Sequence, residues 1–187
     1  MRKAIFLDRD GTINVEKHYL YRIEEWEFLP GVLDALRLFQ EKGYLLIILT
    51  NQSGIARGYF TEQDYCKLDD WLQKRLAEEG IEITRTYYCP HHPEAKVEEY
   101  RQNCTCRKPE IGMFQQAVKE YDIDLSQSYA IGDKIRDLAI CGVSNCQGYL
   151  IGENEEPSVI DAVKLGKESN VQVRKDLWSC ALEICEE

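Results

Sequence analysis

Basic charge is what this sequence has too little of. Its 187 residues carry 23 Lys and Arg against 33 Asp and Glu, a formal net charge of −10. A general nucleic-acid binder wants a basic face, so that class is excluded. Long apolar runs are also missing. Ala4-Ile5-Phe6-Leu7 is closed by Asp8, whereas a signal peptide needs an apolar region of about 7–15 residues. The longest interior run, Tyr44 to Leu49, falls far short of the ~20 residues of a membrane span. No internal repeat, low-complexity tract or long linker interrupts the chain. These absences point to a cytoplasmic protein with no membrane or nucleic-acid partner. No heptad or obvious interface stands out, so a monomer is expected.

Disorder is excluded by the 44% apolar content. The length suits one domain, residues 1–187. A chain of this size buries roughly 70% of its unfolded surface and needs no disulfides to fold. In a reducing compartment its eight cysteines point to metal or redox work.

Short apolar strands alternate with amphipathic helices. Lys3–Leu7, Tyr44–Leu49, Ile83–Tyr88, Ser128–Ile131, Gly148–Ile151 and Val171–Val173 read as strands. Gly31–Lys42, Thr61–Glu79, Gly112–Tyr121, Lys134–Cys141 and a segment capped by Asp176 read as helices. Thr61 with Asp64 three residues on forms a capping box. Strands apolar on both faces imply a three-layer, doubly wound parallel α/β sheet. In such sheets ligands sit beyond the carboxyl ends of the strands.

Those ends carry chemistry. Asp8-Arg9-Asp10-Gly11-Thr12 follows the first strand, Thr50-Asn51-Gln52-Ser53-Gly54 the second, and Gly132-Asp133-Lys134 the fourth. Arg107-Lys108 precedes a helix. Three acids meeting at one sheet edge repel unless a cation lies between them, and Mg²⁺ takes one or two carboxylates, waters and a substrate phosphate. A carboxylate can attack phosphorus, while a second acid moves the proton. Lys108, with the Thr50 hydroxyl and the Asn51 amide, suits a transferring phosphoryl group. The overall −10 charge sits awkwardly with a phosphorylated substrate, but Arg57, Arg107, Lys108 and Lys134 offset it locally.

Cys89-Pro90-His91 and Cys104-Thr105-Cys106 are two short ligand pairs. Three thiolates and an imidazole, from His91 or its neighbour His92, make a closed structural zinc site. The polar loop between the pairs has little to bury, so a metal would do the folding that a core cannot. The other cysteines, Cys66, Cys141, Cys146, Cys180 and Cys185, read as packing residues.

Asp8-Arg9-Asp10-Gly11-Thr12, Thr50, Lys108 and Gly132-Asp133-Lys134-Ile135-Arg136-Asp137 resemble the four motifs of the haloacid dehalogenase superfamily of phosphotransferases. The match narrows with Thr50-Asn51-Gln52-Ser53-Gly54-Ile55-Ala56-Arg57-Gly58, Tyr87-Tyr88-Cys89-Pro90-His91-His92-Pro93 and Cys104-Thr105-Cys106-Arg107-Lys108-Pro109. These resemble a zinc-loop subgroup that acts on a heptose bisphosphate or on histidinol phosphate. The resemblance fades after Ile151.

It implies a Rossmann-like core with a zinc-bound loop over residues 89–106. It implies Asp8 as nucleophile, Asp10 as general acid/base, and Mg²⁺ held by Asp8, the Asp10 carbonyl and Asp133. Thr50, Arg107 and Lys108 would stabilise the phosphoryl group. Glu16, Lys17, His18, Tyr19, Asn51, Gln52, Ser53 and Lys134 would contact a phosphorylated sugar. Arg57 would offer a further cation for the anomeric phosphate. Zinc would take Cys89, His91, Cys104 and Cys106, with His91 preferred for its match to the subgroup. Asp137 would stand behind Lys108 or a metal-bound water. Only residues 13–30 separate the first motif from the first helix, too few for the cap domain many superfamily members carry. The rim is therefore expected from the zinc loop and residues 14–22. The implied reaction is Mg²⁺-dependent removal of the C7 phosphate of a heptose 1,7-bisphosphate. Histidinol-phosphate hydrolysis and an inactive zinc-stabilised binding module are the alternatives.

Overall fold

The computed structural model describes residues 1–152 and 170–186. Six strands form one sheet: β1 (Ala4–Leu7), β2 (Leu45–Asn51), β3 (Arg85–Cys89), β4 (Tyr129–Gly132), β5 (Gln147–Ile151) and β6 (Val171–Arg174). Their order is β3-β2-β1-β4-β5-β6, and every pairing is parallel. The chain winds outward from β1 in both directions, so a crevice opens between β1 and β4 at their carboxyl ends.

Among the described residues the α-helices are α1 (Val32–Glu41), α2 (Ser53–Arg57), α3 (Glu62–Glu78), α4 (Gly112–Tyr121) and α5 (Leu177–Glu186). Alternation along each strand sends side chains to opposite faces. Ile5 and Leu7 join Leu36, Phe39, Leu72, Leu76 and Ile184 in one cluster. Ala4 and Phe6 join Met113, Phe114 and Ala117 in the other. Each fully buried aliphatic or aromatic side chain contributes about 1.5–3 kcal/mol, so both faces must be covered, which gives three layers. The α3 capping box forms as expected, with the Asp64 N–H donating to Thr61 Oγ1 at 3.1 Å and the Thr61 N–H to Asp64 Oδ2 at 3.0 Å. Among the described residues no helix is long and apolar enough to cross a membrane.

Three sequence expectations need correction. The segment expected to be a helix over Lys134–Cys141 is a 3-10 helix over Ile135–Gly142, tightened where the Lys134 N–H donates to Asp137 Oδ2 at 3.0 Å. The third strand starts at Arg85 rather than Ile83 and runs on to Cys89, because Ile83 packs into the core ahead of the ladder. Cys66 does not pack: it is exposed, while Cys141, Cys146, Cys180 and Cys185 are buried. One residue after the buried Tyr65, it is turned about 100° away from the core-facing side of α3. Short helix α2, unforeseen, begins directly after β2. Between residues 13 and 30 the only helix is a 3-10 turn, Ile23–Glu25.

Candidate active site

Strand ends deliver the acids, and a loop delivers the base. Asp8 follows β1, Thr50 and Asn51 end β2, and Asp133 follows β4. Lys108 arrives from the segment between β3 and α4. Its Nζ pairs with Asp8 Oδ1 at 2.7 Å and Asp137 Oδ1 at 2.8 Å, and donates to the Leu49 carbonyl at 2.6 Å. The Lys108 side chain is only 1% exposed. Two carboxylates and a strand carbonyl thus use all three of its ammonium donors.

The clamp on Lys108 is specific. The Lys108 N–H donates to Asn51 Oδ1, and Asn51 Nδ2 donates back to the Lys108 carbonyl, both at 3.0 Å. Gln52 acts similarly, its Nε2 donating to Asp10 Oδ2 at 3.1 Å and Thr50 Oγ1 at 2.9 Å. Glycine makes room at two points. A Cβ on Gly11, whose φ is +84°, would lie 2.4 Å from Asp133 Oδ2. One on Gly132 would lie 2.3 Å from the Asp137 Cβ.

The carboxylates differ electrically. Burial, then the charge of Asp137, outweighs Lys108 and pushes Asp8 up to about 7. Burial also opposes ionisation of Asp10, but Arg9 overcomes it and holds that group below the usual carboxylate range. Arg9 Nη2 lies 2.8 Å from Asp10 Oδ2, and Asn14 Nδ2 donates to Asp10 Oδ1 at 3.0 Å. Burial raises Asp133, whose Oδ1 is buried without a partner. Carboxylate oxygens of Asp8, Asp133 and Asp137 lie within 4.8 Å of one another. Crowded, desolvated hard oxygens with one orphaned acceptor fit a divalent cation such as Mg²⁺.

A cavity of about 280 Å³ opens above these groups, lined by Asp8, Asp10, Thr50, Arg57, Arg107, Lys134 and others. Behind it, Cys89, His91, Cys104 and Cys106 bring their donor atoms within 4.8 Å of one another. Cys106 Sγ lies 2.9 Å from Cys89 Sγ, 3.4 Å from Cys104 Sγ and 3.4 Å from His91 Nδ1. Three soft thiolates with one imidazole and no open position suit structural zinc. His92 stands apart from this cluster, facing Arg57 with Nη2 3.3 Å from Nε2.

Comparison with known proteins now bears on the chain. Residues 3–141 match the family described as polynucleotide kinase 3 phosphatase. A D-glycero-beta-D-manno-heptose-1,7-bisphosphate 7-phosphatase of Haemophilus ducreyi is 53% identical over 138 residues, 73% of this chain and 75% of the relative. The same-named protein of Escherichia coli O6:H1 is 50% identical over 159 residues, 85% and 84% of the two chains.

The chain belongs to this family of heptose-bisphosphate phosphatases.

A solved D,D-heptose 1,7-bisphosphate phosphatase from B. bronchiseptica, complexed with magnesium and phosphate, superposes with a TM-score of 0.83 at 30% identity, covering 98% of each chain.

For this phosphatase-family chain, most residues singled out from sequence gather at the cavity. Glu16, His18, Tyr19, Asn51, Gln52, Ser53, Arg57, Arg107 and Lys134 line it. Of the expected rim, residues 14–22 contribute Glu16, His18 and Tyr19, whereas no residue of 89–106 lines the cavity; the zinc loop meets it only through Arg107, whose Nη1 donates to the His91 carbonyl at 3.4 Å. His18 and Tyr19 both have left-handed φ, 50° and 68°, a costly conformation that clusters at ligand clamps. Lys17 does not join. Its Nζ turns to the Glu25 carbonyl at 2.8 Å and Glu27 Oε2 at 3.0 Å. Gly54 and Arg136 line the cavity without having been singled out. Arg136 follows Asp133 by a single turn, and that spacing was the available signal.

Proposed function

We propose that this protein is a Mg²⁺-dependent phosphatase that removes the C7 phosphate of D-glycero-D-manno-heptose 1,7-bisphosphate and leaves heptose 1-phosphate. The observation that carries the reading is the Asp8–Lys108–Asp137 cluster at the floor of a cavity with Arg57, Arg107 and Lys134 in its wall. The relatives' shared name supplies the sugar.

Asp8 attacks phosphorus through a carboxylate oxygen and forms an aspartyl phosphate as the P–O bond to C7 breaks. Asp10 gives a proton to the leaving sugar oxygen, then takes one from the water that hydrolyses the intermediate. Its partners Arg9, Asn14 and Gln52 hold it ionised, the state required for the second step; the first requires that it acquire a proton with the bound substrate. Arg107 and the Thr50 hydroxyl donate to the phosphoryl oxygens, joined by the Lys108 ammonium donor that Asp8 releases as it attacks, and Asn51 and Gln52 hold Lys108 and Thr50 in place. Mg²⁺, when bound by Asp8, Asp133 and the Asp10 carbonyl, supplies positive charge to the transferring group. Zinc on Cys89, His91, Cys104 and Cys106 holds the loop that positions Arg107. The proposal includes a monomer working in the cytoplasm, consistent with a doubly phosphorylated sugar as substrate.

Purified protein with Mg²⁺ should release phosphate from the bisphosphate, and Asp8→Asn should lose at least about a thousandfold in kcat. Full turnover by Asp8→Asn would contradict the nucleophile assignment.

A further inference from the structure

The cavity holds more positive charge than this mechanism uses. Every acid of the site already has a cation: Asp8 and Asp137 take Lys108, Asp10 takes Arg9, and Asp133 and Glu16 take Lys134. Arg57, Arg107 and Arg136 also line the cavity. Among the described residues none of these three has a carboxylate within ion-pair distance. Arg57 and Arg107 spend one contact each on the zinc loop, at His92 and the His91 carbonyl. Arg136 is exposed and shares the cavity wall with Arg107.

Like charges placed around one cavity are unfavourable until a polyanion fills it. A phosphate monoester carries about two negative charges and accepts forked hydrogen bonds from guanidinium. The phosphate being removed is served by Lys108 and Thr50 at the buried floor and by Arg107. Arg136 lies at the exposed end of the cavity. We infer that Arg136 is a specificity-determining residue that holds the phosphate that is not removed, the one on C1, and so selects a sugar bisphosphate over a monophosphate. This rests on the phosphatase reading above.

The test compares kcat/KM for heptose 1,7-bisphosphate and heptose 7-phosphate in the unsubstituted protein, Arg136→Gln and Arg136→Lys. In Arg136→Gln the bisphosphate-to-monophosphate ratio should fall about tenfold, through KM for the bisphosphate. Arg136→Lys, which keeps the charge but loses the fork, should fall between. A ratio within about twofold of the unsubstituted protein in Arg136→Gln overturns the inference. If the unsubstituted protein releases no phosphate from the bisphosphate, the phosphatase reading itself fails, and that result needs no variant to see.

Discussion

Lys108→Met should strip two buried carboxylates of their cation. The side chains of Asp8, Lys108 and Asp137 are 11%, 1% and 3% exposed, so water cannot replace the ammonium. Removing one partner of a buried ion pair costs about 3–5 kcal/mol. For a chain of this length that is a fall in Tm of about 6–20 °C. The assay is thermal unfolding with a metal chelator present, so that no cation substitutes for Lys108. The pH dependence has a definite sign. Burial and Asp137 raise Asp8 to about 7 in the folded protein, and Lys108 partly opposes them. Without Lys108 the folded value rises further. A carboxyl group whose folded pKa lies above its unfolded one loses stability as pH rises between the two. The deficit of Lys108→Met should therefore be larger at pH 8 than at pH 6. Adding Asp137→Asn removes one unpaired charge and should recover part of the loss. A deficit under about 2 °C, or one that shrinks with rising pH, would refute this account of the cluster.

Zinc should be stoichiometric with the chain in elemental analysis, and Cys106→Ser should lose the metal, lower Tm and weaken substrate discrimination through Arg107 and the His91 carbonyl; unchanged activity and stability in zinc-free protein would contradict the loop's role. At the start of α5, the Ser179 N–H donates to Asp176 Oδ1 at 2.8 Å. Burial opposes ionisation of Asp176, but the Ser179 bonds win and hold it below its ordinary value. That stability is present above the unfolded pKa of about 3.9 and is lost as pH falls through the lower folded value. Asp176→Ala should cost about 1 kcal/mol at pH 7 and much less near pH 2, as read by denaturant melts.

Much of this site was legible because its chemistry is written locally. Asp8, Asp133 and Thr50 lie at strand ends, and a doubly wound sheet brings strand ends together whatever the loops do. The capping box at Thr61 and Asp64 is likewise a short-range pattern. The Asp137 link to Lys108 could be anticipated from the fourth motif, though only the folded chain gives its 2.8 Å separation. What escaped depends on tertiary direction. Lys17 and His18 are adjacent, yet left-handed backbone at His18 and Tyr19 sends one to the Glu25 carbonyl and the other to the cavity. Asn51 and Gln52 line the cavity as expected, but that their amides also hold Lys108, Asp10 and Thr50 shows only in the folded chain. Arg136 follows Asp133 by one turn and lines the cavity, but nothing in its residue type marked it out from the rest of the fourth motif. Cys66 shows the converse, since composition alone does not say which side of an amphipathic helix a small thiol occupies.

The central claim is the identity of the substrate, and one comparison tests it most directly: kcat/KM for D-glycero-D-manno-heptose 1,7-bisphosphate and for histidinol phosphate, side by side with Mg²⁺. The account predicts a clear preference for the bisphosphate, with the C7 phosphate released and heptose 1-phosphate as the product. A preference for histidinol phosphate, or release of the C1 phosphate instead, would contradict it.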